Sequence, residues 1–321
     1  MYNAITDIPG IKVGHYTDKK AVTGCTVILC ETGAVAGVDV RGSAPGTRET
    51  DLLRPMSLAD KIHAIVLSGG SAFGLDAAGG VMRYLEERGI GYDTLVARVP
   101  IVSAAIIFDL SIGNPKIRPG IEEGYKACQT ASDKEVAEGC VGAGTGATVG
   151  KALGIERATK SGLGTASRKI GDGIIVAALL VVNAIGDVIN PKTGKILAGP
   201  RSQDNKCFHS TIELLSQGIY SYRQNSLPTN TTIGVVATNA SLNKEQVNKL
   251  AQMAQDGLAR AINPSHTMHD GDTIFALSLG DKIGDITILG SVTAEVVSNA
   301  IIRAVQQAET LAGIPAIKSM R

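Results

Sequence analysis

Aromatic residues are scarce in this chain. Tryptophan is absent, and seven tyrosines and four phenylalanines make up only 3% of 321 residues. Hydrophobic residues still reach 44%, so a sizeable core is expected, close-packed from aliphatic side chains. Net charge is equally scarce, with 31 Lys and Arg against 30 Asp and Glu. No basic run or basic patch interleaved with aromatics is present, so nothing draws in nucleic acid or an anionic membrane. Cys25, Cys30, Cys128, Cys140 and Cys207 form no CxxC pair and no zinc spacing. An odd number without a framework reads as free thiols in a reducing compartment. The opening Met1-Tyr2-Asn3-Ala4 lacks the basic-then-apolar layout of a leader peptide. The longest apolar run, Ile174 to Val182, falls far short of the ~20 residues of a membrane helix. These absences lead to the expectation of a soluble, cytoplasmic protein without nucleic-acid or membrane partners.

What the chain does have is glycine, 38 residues of it, which implies tight turns and close backbone approaches. Its length suits one large layered α/β domain. Cys25–Leu29 and Ala34–Val40 read as the two arms of a hairpin or meander, and Ser57 as the cap of a short helix. Ala64–Leu67 reads as a buried strand running into Ser68-Gly69-Gly70. A helix follows from Ser71, with Leu75, Ala78, Met82 and Leu85 on one face and Gly89 as its stop. Val99–Phe108 is strand-like, Ile121–Ser132 helical, and Ile174–Asn183 a continuous apolar strand. Asn243 caps a helix with Gln246 completing a capping box, and Asn263-Pro264 ends it. Ile274–Leu279 and Ile286–Leu289 read as strands, and Thr293 as the cap of the last helix. This β-α-β-β-α ending is compatible with helices packed outside two stacked sheets.

One stretch stands apart. Tyr222 to Pro228 reads as an exposed linker, and Asn230-Thr231-Thr232-Ile233-Gly234-Val235-Val236 then begins a β-branched run. Thr231 is therefore delivered to the first position of a buried strand, its hydroxyl beside the Asn230 carbonyl. Were the Asn230–Thr231 bond cut, Thr231 would carry a free amine beside its own hydroxyl, a known way of activating a weak nucleophile. By spacing alone, the same residues equally describe an ordinary strand start.

Further chemistry is carried by Asp270-Gly271-Asp272, two carboxylates close enough to disfavour joint ionisation. An Asp-Gly turn is the plain alternative. His266, His269, Asp270 and Asp272 together offer four potential ligands within seven residues, but fit no standard zinc pattern. Lys160 opens the turn Ser161-Gly162-Leu163-Gly164-Thr165, where an ammonium beside two carboxylates would balance their charge and hold Thr231 reactive. Asn183 ends a buried strand, where its amide could donate to a developing oxyanion. Gly142 to Gly150 resembles a dinucleotide loop without the preceding strand or the later acidic residue. Ser71 resembles a nucleophile elbow, but Phe73 breaks the G-x-S-x-G pattern.

Six segments in order are similar to one family, the self-cleaving aminopeptidases that include L-aminopeptidase/D-amidase-esterases, β-peptidyl aminopeptidases and nylon-oligomer hydrolases. They are Ile5 to His15, Arg41 to Asp51, Ser68 to Leu75, Lys160 to Ser167, the stretch around Thr231, and Asp270 to Asp272. The resemblance implies a four-layer α/β/β/α sandwich of N-terminal-nucleophile type and a homo-oligomer, a tetramer among its relatives. It implies one chain that cuts itself before Thr231 into residues 1–230 and 231–321. It also implies Thr231 as nucleophile, with Lys160, Asn183, Asp270 and Asp272 around it. The nylon-hydrolase branch looks nearest, pairing a Thr nucleophile with Asp-x-Asp. Aminopeptidase members hold the substrate amine with a carboxylate in the segment matching Gly139 to Thr148, where this chain has none after Glu138. The expected activity is a cofactor-free amidohydrolase of small peptides or related amides, acting through an acyl-enzyme. Two rivals remain, a metal-dependent hydrolase using the His266–Asp272 cluster and a non-catalytic binding protein on the same fold.

Overall fold

The computed structural model describes residues 1–219 and 230–320. The expected linker from Tyr222 to Pro228 lies outside these residues. Nine strands form one sheet: β1 (Lys12–Asp18), β2 (Thr23–Val40), β3 (Thr47–Arg48), β4 (Lys61–Ser68), β5 (Val102–Ile106), β6 (Leu163–Ile170), β7 (Ile174–Asn183), β8 (Thr231–Ala240) and β9 (Thr273–Lys282). The helices are α1 (Ala77–Glu86), α2 (Ile121–Gln129), α3 (Thr211–Ser216), α4 (Lys244–Ala261) and α5 (Ile286–Gln307). The spatial order is β6-β7-β8-β9-β2-β4-β5-β3, with β1 also paired to β2. Two neighbouring pairs are parallel, β8–β9 and β4–β5. Each needs a crossover, which α4 and α1 provide.

The long strand β2 turns this sheet into two layers. Its first half, Cys25–Leu29, pairs with β1 and β4, and its last residues, Val35–Val40, pair with β9. Between Leu29 and Ala34 the register with β4 is irregular, and Gly33 sits at φ +84. The expected hairpin is therefore one bulged strand, because Glu31-Thr32-Gly33 is absorbed as a local distortion that bends the strand. Alternation along the strands then yields three cores. Ile28, Ile65, Leu67, Leu179, Val181, Ile233, Val235 and Phe275 fill the space between the layers. Val176, Leu180, Val236 and Ile274 face α4 and α5 through Val247, Leu250, Val297 and Ile301. Val27, Ala64, Val66 and Ala104 face α1 and α2. This is the expected α/β/β/α sandwich.

Several local expectations hold. Asn243 accepts from Gln246 N at 2.9 Å while Gln246 Oε1 accepts from Asn243 N at 3.0 Å, and Gly89, at φ +66, follows the end of α1. Others are corrected. Ser57 caps no helix but donates to Asp51 O at 2.8 Å. Ser71, at φ 54, begins a 3-10 turn before α1 rather than capping it. Ile286–Leu289 is not a strand but the first turn of α5, capped by Asp285 through Thr287 N and Ile288 N. Thr293 lies buried inside that helix. A four-residue apolar run suits strand and helix alike until its neighbours are known. By length and composition α5 could cross a membrane, yet Val296, Val297, Ala300, Ile301, Ala304 and Val305 are packed in the second core.

Gly164 on β6 permits that packing, since a Cβ there would lie 2.1 Å from Ala300 O and 2.4 Å from Ala304 N. We expect Gly164→Ala to push α5 from the sheet and lower the unfolding free energy by about 1–3 kcal/mol, the usual penalty of overpacking. Gly79→Ala in α1, where the nearest atom is at 3.4 Å, should be neutral or slightly stabilising. Equal urea midpoints for the two variants would contradict this account of the α5 contact.

Candidate active site

Thr231 is the first residue of β8, the middle strand of the trio β7–β8–β9. On one side it is the register partner of Asn183, the last residue of β7. On the other, Asn230 bridges to Asp270 in parallel, three residues ahead of the β8–β9 ladder and in the same register. Thr231 is only 4% exposed, and its hydroxyl donates to the Asn230 carbonyl oxygen at 2.5 Å. The same oxygen accepts from Gly271 N at 3.0 Å. The peptide bond singled out in the sequence is therefore held rigidly, with a hydroxyl and an amide N–H converging on its carbonyl.

The Asp-Gly-Asp segment leads into β9, and both carboxyls are buried. Asp272 Oδ1 accepts from Thr232 N at 2.7 Å, and Oδ2 accepts from His266 N at 3.0 Å. His266 Nδ1 lies 2.9 Å from that same Oδ2. Asp270 Oδ2 accepts from Thr267 N at 2.9 Å and from Thr267 Oγ1 at 2.5 Å. Burial, and next the charge of Asp272, hold the Asp270 carboxyl well above the ordinary carboxylate range, against the Thr267 hydrogen bonds and the charge of Lys151. The backbone of the segment is fastened by the loop after β2. Arg41 N and Gly42 N donate to Asp272 O, and Ala44 N donates to Asp270 O. Gly42 is required there, since a Cβ would lie 2.3 Å from Asp272 N.

Asn183 is buried, and its Oδ1 accepts from Thr148 N at 3.1 Å and from Lys151 Nζ at 2.8 Å. Its own carbonyl also accepts from Lys151 Nζ at 2.9 Å, and its Nδ2 donates to Phe108 O at 3.2 Å. Lys151 is the residue that sequence reasoning missed. Burial pushes its pKa down to about 7; Asp270 opposes that shift and Lys160 adds to it. The buried ammonium that interacts electrostatically with Asp270 is thus that of Lys151. Lys160 is fully buried and donates to Ala147 O at 2.7 Å, Ser161 O at 2.6 Å and Gly144 O at 3.4 Å. Its pKa is lowered by burial, with Cys140 and Asp109 acting the other way. It fastens the Gly-rich turn that carries Thr148, so it reaches Asn183 through the backbone. Lys151 directly follows the Gly142–Gly150 stretch and is itself part of no motif read from the sequence. The bonds Gly150 N to Gly186 O and Lys151 N to Ile185 O help bring it to the end of β7.

The two Gly-rich turns meet at Asp109, another buried carboxyl that the sequence did not mark. Asp109 accepts from Gly70 N at 2.7 Å and Thr23 Oγ1 at 2.7 Å. Burial holds its pKa up. A Cβ on Gly69 would lie 2.1 Å from Asp109 Oδ2, and one on Gly146 2.4 Å from Asp109 Cβ. The turn at Gly142–Gly144 is a short 3-10 piece whose N–H groups are engaged by Thr17 and Thr26. A phosphate cradle needs such donors to be available, so the dinucleotide reading loses its basis. Glu138 is also committed, with Oε1 accepting from Thr165 N and Arg303 Nε, both at 2.9 Å, and Oε2 accepting from Arg303 Nη2. Among the described residues no group of three or more His, Cys, Asp and Glu side chains is placed to hold a metal ion. In the His266–Asp272 cluster, His266 and Asp272 are bonded to each other and Asp270 to Thr267.

The geometry agrees with what the chain is similar to. Residues 3–318 match peptidase family S58. An uncharacterized aminopeptidase of Mycobacterium leprae is 43% identical, covering 98% of this chain and 92% of its own. A 6-aminohexanoate-oligomer endohydrolase of Kocuria sp. is 31% identical over 93% of this chain and 84% of its own. Among solved structures, the L-aminopeptidase D-Ala-esterase/amidase of Ochrobactrum anthropi, described as a variant of the Ntn hydrolase fold, superposes with a TM-score of 0.71 at 20% identity, covering 98% of this chain and 88% of that one. A Burkholderia sp. beta-aminopeptidase superposes with a TM-score of 0.67 at 22% identity, covering 98% and 89%. With the family match running through nearly its whole length, this chain belongs to peptidase family S58 and is a peptidase or amidase of that family.

Proposed function

We propose that the chain cuts its own Asn230–Thr231 bond and that the freed Thr231 then hydrolyses small peptides or related amides. The observation that carries the reading is the Thr231 hydroxyl, 2.5 Å from the carbonyl oxygen of the residue before it, at a buried strand start flanked by Asp270, Asp272 and Asn183. In self-cleavage the hydroxyl oxygen attacks the Asn230 carbonyl carbon, the amide becomes an ester, and water opens it. In turnover the same oxygen takes the acyl group of a substrate and water releases it. Lys151 supplies a proton acceptor close to neutral pH, because burial depresses its pKa to about 7. Asp270 and Asp272 orient the nucleophile's strand and carry the compensating charge. No step calls for a cofactor.

The substrate follows from which carboxylates are engaged. Glu138 is clamped by Arg303, which leaves the segment after it without a side chain to hold a substrate ammonium. The endohydrolase relative, named for an action on 6-aminohexanoate oligomers, supports an interior or amidase-type cut over strict removal of an N-terminal residue. A charge-assisted hydrogen bond to an amine is worth about 1.5–3 kcal/mol, or roughly ten- to a hundredfold in kcat/KM. N-acetylation of an amide substrate is therefore expected to change kcat/KM by less than about tenfold. A larger loss, measured across acetylated and free aminoacyl, β-aminoacyl and 6-aminohexanoyl amides, would instead make the protein an exopeptidase.

The cleavage reading is tested by denaturing mass spectrometry with N-terminal sequencing. Two associated chains, 1–230 and 231–321, are expected for the wild type and for Thr231→Ser, and one inactive uncut chain for Thr231→Ala. An uncut wild type that still hydrolyses amides would defeat the mechanism. For the proton acceptor, the neutral amine exists above the depressed pKa, so turnover should rise with pH through about 7. Lys151→Arg stays charged throughout that range, so it should be slow and show no such limb. If the limb survives in this variant, it belongs to the Thr231 amine, whose ordinary range lies close by.

A further inference from the structure

We propose that the backbone N–H of Gly271 is the oxyanion donor of the self-cleavage step. The inference rests on the cleavage reading above. Gly271 N donates to Asn230 O at 3.0 Å, the oxygen on which negative charge develops when Thr231 attacks. The donor is in place before reaction, because Asn230 and Asp270 already form a parallel bridge. It cannot drift, since Ala44 N holds Asp270 O at 2.9 Å and Arg41 N holds Asp272 O at 2.9 Å. A donor fixed where charge appears stabilises a transition state without reorganisation. That the residue is glycine has a steric reason. A Cβ at position 271 would lie 2.9 Å from Thr231 Oγ1 and 2.6 Å from Ala44 O, so a side chain would press on the nucleophile itself.

The step balances as follows. The Thr231 Oγ1–carbon bond forms while the carbonyl π pair moves onto Asn230 O, facing the Gly271 N–H. The hydroxyl proton passes to the neighbouring base. Collapse reforms the C=O and breaks the carbon–nitrogen bond, and the proton returns to the leaving nitrogen, which becomes the Thr231 amine. Water then opens the Asn230 ester, giving a carboxylate and the free hydroxyl. Once the Asn230 carboxylate has left, the same N–H faces the place where a substrate's acyl carbonyl enters.

The test removes the N–H while adding no side chain. The full chain is made by in vitro translation with glycolic acid at position 271, so that an ester replaces the Asp270–Gly271 amide. A control carries glycolic acid at position 89, which removes instead the Gly89 N–H bond to Glu86 O at the end of α1. Appearance of the 231–321 chain is followed by denaturing mass spectrometry. Cleavage is expected to slow by roughly 10²–10³ at position 271, as for loss of one oxyanion donor, and to remain near the wild-type rate in the control. A wild-type rate with the ester at 271, or equal slowing in both chains, would overturn the donor role. A wild-type chain that never cuts would instead remove the cleavage reading on which the inference stands.

Discussion

The site depends on one constraint, the immobility of the first residue of β8. A threonine hydroxyl next to its own preceding carbonyl is common in loops, where the two seldom keep one geometry. Here Thr231 is paired to Asn183 on one side, and Asn230 is bridged to Asp270 on the other. Both neighbouring strands are themselves interior to the sheet. The backbone on either side of the bond is thereby deprived of its usual freedom, and the hydroxyl has one place to be. Orientation of this kind can account for a large part of a reaction barrier.

The second requirement is electrical. Asp109, Lys151, Lys160, Asp270 and Asp272 are all buried, and a buried charge is costly unless it is bonded or neutralised. Each has its compensation. Lys160 is caged by carbonyls, Asp109 by an N–H and a hydroxyl, Asp272 by two N–H groups and His266, and Lys151 by both oxygens of Asn183. The remaining imbalance falls on Asp270 and Lys151, whose pKa values move towards each other. Buried groups whose protonation is shifted in this way are typical of sites that do acid–base chemistry.

Legibility in the sequence followed the range of the interactions. The start of β8 at Thr231 and the capping box of Asn243 and Gln246 were readable because each is set by a few adjacent residues. The bulge in β2 was read as a turn, since Glu31-Thr32-Gly33 has turn chemistry and only pairing with β1, β4 and β9 carries the strand through it. Ile286–Leu289 was read as a strand because a short apolar run has no period of its own, and Asp285 was not recognised as its cap. The candidate site was readable at Thr231, Asp270, Asp272 and Asn183, which lie at strand starts and ends. It was not readable at Lys151. Lys160 was favoured instead because it opens a recognisable Gly-rich motif, although its ammonium serves that turn.

The sequence by itself determined the class of the fold, the position of the Thr231 strand start, and the residues able to do acid–base and nucleophilic chemistry. These depend on side-chain type and on periods of two or three to four residues, which are local properties. Only the tertiary structure decided which buried ammonium interacts with Asp270, which N–H meets the Asn230 carbonyl, and why the glycines at 42, 69, 146 and 271 admit no side chain. Those are contacts between segments tens to hundreds of residues apart. Their geometry is set by how two sheet layers and their helices close on one another, which no local pattern encodes.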